Sequence, residues 1–416
     1  MNQTKLANIV PRKDAVALFG IFGIGNIGNE ATLRVTLDQL KARQPGSVPT
    51  VICPHPDVVT ASFGIKALNW DPKVLSNKKS ARNVRSRLLR WLLKPFSLLG
   101  ELLLLRRTLK SFGLLVVPGT GILDDYALTS QAMPANMLLW CCAARLARVP
   151  VIFASIGAGP IQNKVSRRLM TWIALTASRR SYRDELSRQF LGGLGLNVKR
   201  DLVLPDLVFS HPLATIPLNQ KPRSARHGVV GIGMMGYFGW AGNSITGQPI
   251  YQAYISRMAR FVEHLLNEGF EIRFLIGKDS DESAIADVMA ILPAKSEWGP
   301  IHRPIIKNMD DLLLAINETD VVVATRYHNV IAALLMGQPT LSIGYAGKND
   351  VLLADIGLAN YCQQIEALDV ERLKMQFEQL FSRRDKLGKC VEQRIAEYRL
   401  TLSDYFDSIF PPAEVK

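Results

Sequence analysis

At 416 residues the chain exceeds what one hydrophobic core usually organises, so two domains are expected. With 48% hydrophobic and 21% charged residues, it lies outside the range of disordered chains. The net charge of +14 is unevenly spread, and the five cysteines (Cys53, Cys141, Cys142, Cys362, Cys390), odd in number and without a CxxC pair, argue against a disulfide framework and against cysteine-bound metal.

A reducing cytoplasm fits that cysteine usage. Met1 to Lys13 is polar and has no apolar signal-peptide core. No run approaches the roughly 18 apolar residues of a membrane span.

In chain order, apolar runs rich in Val and Ile predict strands over Ala15–Phe22, Thr50–Cys53, Leu114–Pro118 and Val151–Ile156. Later runs predict strands over Val229–Met234, Glu271–Ile276, Val321–Thr325 and Thr340–Ile343. Helical periodicity falls between many of them, over Asn29–Arg43, Pro134–Arg148, Lys164–Ser178, Pro249–Asn267, Met309–Ile316 and Tyr327–Met336. A charged helical segment closes the chain, from about Asp369 to Ile409. This alternation predicts an α/β protein with parallel sheets and crossover helices.

The series breaks at His211–His227, a proline-rich, polar stretch without periodicity that reads as a linker. The expected architecture is two doubly wound Rossmann-like domains facing a central cleft. The first covers residues 1–210, the linker 211–227, and the second 228–416 with the helical tail. Ligands in such domains sit at the carboxyl ends of the strands.

Residues 78–110 are expected to form a basic helical insertion in the first domain. Ten basic residues fall between Asn77 and Lys110 against a single acid, Glu101. Leu88, Leu92, Leu99 and Leu103 recur near helical spacing among them. Such a segment suits an anionic bilayer surface, with leucines and Trp91 inward; the bland alternative is a surface helix pair with a solvated basic face. Pro95 and Gly100 predict two short helices rather than one. No nucleic-acid motif accompanies the charge.

Two glycine turns match the dinucleotide fingerprint literally: Gly23-Ile24-Gly25-Asn26-Ile27-Gly28 and Gly231-Ile232-Gly233-Met234-Met235-Gly236. Glycine permits tight turning and close approach to an anion at a helix start. The strand Thr50–Cys53 runs into Pro54-His55 where a ribose-binding acid belongs, so a nicotinamide cofactor is not expected. Gly25 and Asn26 remain candidates for holding an anionic or sugar ligand, against the alternative of a tight connection with no ligand. Glu30 follows in the expected helix, either in catalysis or complementing the helix start.

Gly119 and Gly121 form a further turn after a strand and leave room for a sugar or phosphate. Asp125 is placed to take a proton from an acceptor hydroxyl; alternatively Asp124 or Asp125 caps the next helix. Arg183 ends a short strand, as an anion-binding fork or as an exposed arginine beside a capped helix. Arg326 and His328 end the buried strand Val321–Thr325 at a helix start, which favours an anion. An imidazole suits proton transfer near neutral pH, which makes His328 a candidate; its alternative is a core histidine. Lys348 follows the next strand, as a site group or as a solvated loop lysine.

Six segments in order resemble the polysaccharide pyruvyl transferase family. They are Phe22–Ala31, Pro118–Asp125, Ser155–Pro160, Ser181–Ser187, Thr325–His328 (followed by Ala332 and Gly337-Gln338-Pro339), and Tyr345–Lys348. Asn29 stands where the family has Asp, Pro118 and Thr120 interrupt a glycine run, and Ser155 replaces a glycine. The resemblance implies a two-domain fold similar to GT-B glycosyltransferases. It also implies phosphoenolpyruvate as donor substrate, no cofactor, and a saccharide acceptor, often on a lipid carrier. His328, Asp125 and Glu30 would then be catalytic, with Arg326, Arg183, Lys348, Gly25, Asn26, Gly119 and Gly121 binding substrate. No His, Asp or Glu cluster has metal-ligand spacing, so no metal is expected. The expected location is the cytoplasm, at the inner face of the plasma membrane. Two other readings fit the same sequence: a GT-B-like glycosyltransferase using a nucleotide sugar, and a non-catalytic membrane-associated subunit of a polysaccharide assembly complex.

Overall fold

A computed structural model describes residues 14–75, 87–128, 130–213, 228–293 and 298–412, with side chains left out over 87–96. The chain divides into two compact units. One comprises the stretch ending at Ile24, then Thr32–Leu207, then the stretch from Leu402; the other comprises Gly25–Ala31 and Val208–Thr401.

The first unit is built on a seven-stranded sheet, ordered β3-β2-β1-β4-β5-β6-β7. Its strands are β1 (Ala15–Phe19), β2 (Val48–Cys53), β3 (Ala67–Asn69), β4 (Leu114–Pro118), β5 (Val151–Ile156), β6 (Arg179–Tyr182) and β7 (Leu202–Val203). Every pairing is parallel. The central strands are buried on both faces, which is why they read as unbroken apolar runs. The helices are α1 (Ile27–Arg43), α2 (Pro56–Phe63), α3 (Pro72–Leu75), α4 (Arg87–Leu109), α5 (Ala132–Ala147), α6 (Lys164–Thr176) and α7 (Glu185–Gly193). Side chains set several starts: Asn163 caps α6 through Val165 N and Ser166 N, and Asp184 caps α7 through Ser187 N. Trp140, Phe153, Ile173 and Tyr182 centre one core cluster.

The second unit has a six-stranded parallel sheet ordered β10-β9-β8-β11-β12-β13. These strands are β8 (Val229–Gly233), β9 (Glu271–Leu275), β10 (Ile301–His302), β11 (Val321–Ala324), β12 (Thr340–Gly344) and β13 (Cys362–Gln364). The helices are α8 (Gln248–Asn267), α9 (Glu282–Ile291), α10 (Met309–Asn317), α11 (Tyr327–Leu335), α12 (Lys348–Asp355), α13 (Val370–Ser382) and α14 (Arg384–Ile409). Phe261 and Phe270 pack edge-on against Phe377, closing one side of this core.

Each sheet reverses its strand order once, between β1 and β4 and between β8 and β11. Loops diverge at such points and open a crevice at the carboxyl ends. The glycine turns and most of the sequence-predicted site residues follow these strands.

Several boundaries differ from the sequence reading. The strands β3, β7, β10 and β13 have two or three residues each, too short to leave a period. Residues 87–109 form one helix, not two. Gly100 costs that helix only about 1 kcal/mol, and Leu105 and Leu109 anchor its end in the core. His211, expected to open the linker, is buried in the second unit. There its Nε2 lies 3.4 Å from Asp310 and its carbonyl accepts from Arg399. Residues 214–227 lie outside the described residues. The expected second domain also gave up its last residues: from Leu402 the chain groups with the first unit, where the Ser181 hydroxyl donates to the Tyr405 hydroxyl and Arg43 pairs with Asp407.

Candidate functional site

In the first unit, two glycine loops are laced together beyond the ends of β4 and β5. Gly157 N donates to Thr120 O at 2.8 Å and Gly159 N to Leu123 O at 2.8 Å. Ser155, in place of the family's glycine, holds φ +53°. The Ser155 hydroxyl donates to Pro205 O and its amide to Ser181 Oγ, bonds that hold the strained backbone in place.

Arg183 leaves β6 and is not the exposed arginine that was one sequence alternative; it is 7% exposed. Its guanidinium lies flat on Gly157, where a Cβ would stand 2.6 Å from Nη2. Asp206 lies 3.4 Å from Nη1 and Asp184 lies 3.7 Å from Nε, so two buried carboxylates face this one guanidinium. Gly121 is close by, with a built Cβ 3.6 Å from Nη2. Gly119 packs against the carbonyl of Ser155, which leaves no room for a side chain. Asp125 Oδ2 accepts from Gln162 N and Asn163 N, both at 2.8 Å, and so secures the loop before α6 rather than the next helix, α5. Asp124 turns its own loop, accepting from Tyr126 N.

The second cluster belongs to the other unit, and it includes the turn after β1. Ile27 N donates to Gly277 O at 3.1 Å, and Asn26 forms a bridge with Lys278. Asn26 Oδ1 accepts from Gly28 N and Asn29 N, so this asparagine is the cap of α1. Gly25 turns with φ +69° beside Asp279. Glu30 sits half-buried in the first turn, its amide bonded to Asn26 O.

Gly28 explains itself by what it touches. A Cβ there would lie 2.0 Å from Nδ1 of His328. The imidazole therefore packs directly on the backbone of the first turn of α1. Tyr327 meets the His328 ring edge-on, with centroids 5.6 Å apart. Lys348, the first residue of α12, donates to the Tyr345 hydroxyl at 3.0 Å and lies over the rings of Tyr345 and Tyr327. Tyr327 thus links the lysine to the histidine.

Arg326 is held in a fork. Its Nε and Nη2 each donate to Asp281 at 2.6 Å. Asp281 is fully buried and also accepts from the amides of Gly236, Gly277 and Lys278. The carboxylate ties the loops after β8, β9 and β11 into one rigid floor. Behind it, the Tyr254 hydroxyl meets Thr325 Oγ1 at 2.9 Å. Burial pushes this phenol well above its ordinary range, Asp281 adds to that, and Thr325 opposes it. The phenol therefore stays neutral.

The structure brings Gly25, Asn26, Glu30, Arg326, His328 and Lys348 into one unit, and places Gly119, Gly121, Asp125 and Arg183 in the other. Sequence reasoning missed Asp281 and Asp206, and it quoted Gly28 and Gly157 in their motifs without reading their contacts with His328 and Arg183. The acid-rich run Asp279-Ser280-Asp281 directly after β9 is the one signal that pointed to the first of these. Among the described residues, no group of three His, Cys, Asp or Glu side chains is placed to hold a metal ion.

Two parallel-sheet α/β domains of this kind define the GT-B class. Solved structures agree: UDP-GlcNAc 2-epimerase from Neisseria meningitidis bound to UDP-GlcNAc superposes with TM-score 0.57 at 12% identity, over 94% of this chain and 97% of that one. A glycosyltransferase from Rickettsia africae gives 0.56 at 12%, over 97% and 100%. UDP-GlcNAc 2-epimerase from Methanocaldococcus jannaschii gives 0.54 at 10%, over 92% and 99%. At such identities the likeness is one of fold. No curated protein matches the chain by sequence. The family model for polysaccharide pyruvyl transferase matches residues 26–347. The chain belongs to the polysaccharide pyruvyl transferase family, transferases of polysaccharide biosynthesis.

Proposed function

We propose that the protein transfers the pyruvyl group of phosphoenolpyruvate to a saccharide, forming a pyruvate ketal and releasing phosphate. The observation that carries this reading is the placement of His328 at a helix start, packed on Gly28 and joined to Lys348 through Tyr327.

A proton adds to the methylene carbon of the donor and leaves an oxocarbenium-like centre. One sugar hydroxyl attacks that centre and loses its proton. A second hydroxyl then displaces phosphate and loses its own. His328 supplies the first proton, and Glu30, in the same unit, takes one from the acceptor. Arg326 and Lys348, in the same unit as His328, suit the donor's carboxylate and phosphate. Gly25, at φ +69° in the same unit, keeps backbone accessible beside them.

The acceptor is a lipid-linked repeat unit or an exopolysaccharide precursor, which places the reaction at the inner face of the plasma membrane. The test supplies phosphoenolpyruvate and a lipid-linked saccharide fraction. Phosphate release with pyruvyl carbon appearing in that fraction is expected. Sugar transfer from a nucleotide sugar, without either signal, would replace this reading with glycosyl transfer.

A further inference from the structure

Seven of the eighteen large hydrophobic side chains exposed among the described residues lie on three neighbouring helices, α4, α5 and α6. These helices pack in order, α4 on α5 and α5 on α6. Two hydrogen bonds align their carboxyl ends. Arg106 Nε donates to Leu146 O, joining α4 to α5, and Arg145 Nη1 donates to Thr176 O, joining α5 to α6. Leu103, Leu146, Trp172 and Leu175, each 44–55% exposed, lie within about a turn of those bonds. The patch is therefore one face shared by three helices. Crossover helices run antiparallel to their strands, so it lies at the end of the sheet opposite the glycine loops.

The charge on these helices has one sign. Residues 97–110, 132–147 and 164–176 carry seven lysines and arginines and one acid, Glu101. Arg107 and Arg168 are exposed beside the leucines and Trp172. Exposed apolar side chains ringed by cations suit neither of two other occupants. A second copy would bring like charge against like charge. Nucleic acid would use the cations and leave the leucines in water.

We propose that the carboxyl ends of α4, α5 and α6 form a docking face for an anionic lipid bilayer, with Trp172, Leu175 and Leu103 in the headgroup boundary and Arg107 and Arg168 on the lipid phosphates. This face is wider than the basic run that the sequence singled out. It includes α6, which lies outside that run, and it stands whether or not the donor is phosphoenolpyruvate.

The experiment is co-sedimentation of the full chain with vesicles of phosphatidylglycerol and phosphatidylcholine, against phosphatidylcholine alone. Binding to the anionic vesicles only, weakened by salt, is expected. Each basic residue near a membrane contributes about fivefold in partition. The pair Arg107→Glu and Arg168→Glu should therefore lower it more than about 25-fold, and Trp172→Ser with Leu175→Ser should abolish the salt-resistant part. These surface variants should keep the wild-type melting temperature. Equal binding by wild type and by the α6 variants would overturn the proposal and return any membrane contact to Arg82–Lys94. Absent vesicle binding together with RNA binding, or with a dimer lost on Trp172→Ser, would overturn it in favour of those partners.

Discussion

Gly28→Ala isolates the contact on which the proposed chemistry depends. The added Cβ would stand 2.0 Å from Nδ1 of His328 and 2.1 Å from its Cγ. Non-bonded carbons rest about 3.5–4.0 Å apart, so the imidazole must retreat by about 1.5 Å. Overpacking of this kind costs about 1–3 kcal/mol. Alanine in place of glycine inside a helix returns about 1 kcal/mol, so the net loss of stability is about 0–2 kcal/mol and the protein folds. Catalysis is more sensitive, since a misplacement of about 1 Å costs on the order of 10²-fold. The assay pairs a thermal melt with turnover, and includes His328→Ala alone and combined with Gly28→Ala. The expected result is a melt within a few degrees of wild type, turnover down about 10²-fold, and a double variant little worse than His328→Ala, because both changes act on one group. Full turnover in Gly28→Ala would refute the reasoning, because the imidazole would then be unused where the structure places it.

His328→Ala should lower turnover by about 10²–10⁴-fold while leaving donor binding nearly intact; a fully active variant removes the histidine from catalysis. Asp281→Ala strands Arg326 and three backbone amides, so a loss of about 3–5 kcal/mol in denaturant titration is expected. A loss under about 1 kcal/mol would mean that water replaces the carboxylate. Asp350 gives a pH signature. Burial, first, pushes its carboxyl up, while Gln364 and Cys362 hold it down in part. A folded-state value above the unfolded one means the folded protein binds the proton more tightly, so this group's contribution falls as pH rises through the carboxylate range. Asp350→Asn should remove that slope from melts taken at pH values spanning about 4 to 6, and an unchanged slope would assign it to other acids.

The fold was legible where burial forces sequence to be simple. Strands β4, β5, β8 and β11 are covered on both faces, and their Val and Ile runs allow little else. The edge strands were not legible, because two or three residues carry no period. The continuity of α4 was hidden by Pro95 and Gly100, since tertiary packing of Leu105 and Leu109 overrides local propensity. At the candidate site, Arg326, His328 and Lys348 drew attention because each falls within a few residues of the end of a strong strand. Their fixing partners could not be read. Asp281 is 45 residues from Arg326 in sequence, and Gly28 meets His328 only because the turn after β1 groups with the second sheet. Asn26 caps α1, a role its sequence context left unread.

The most direct test of the donor assignment is the melting temperature with and without phosphoenolpyruvate, beside a panel of nucleotide sugars and repeated on Arg326→Ala. A ligand at a hundred times its Kd adds about 2.7 kcal/mol to the native state, or roughly 5–10 °C for domains of this size. The account predicts a saturable rise with phosphoenolpyruvate that Arg326→Ala loses. No rise with phosphoenolpyruvate, and a saturable rise with one nucleotide sugar, would contradict it.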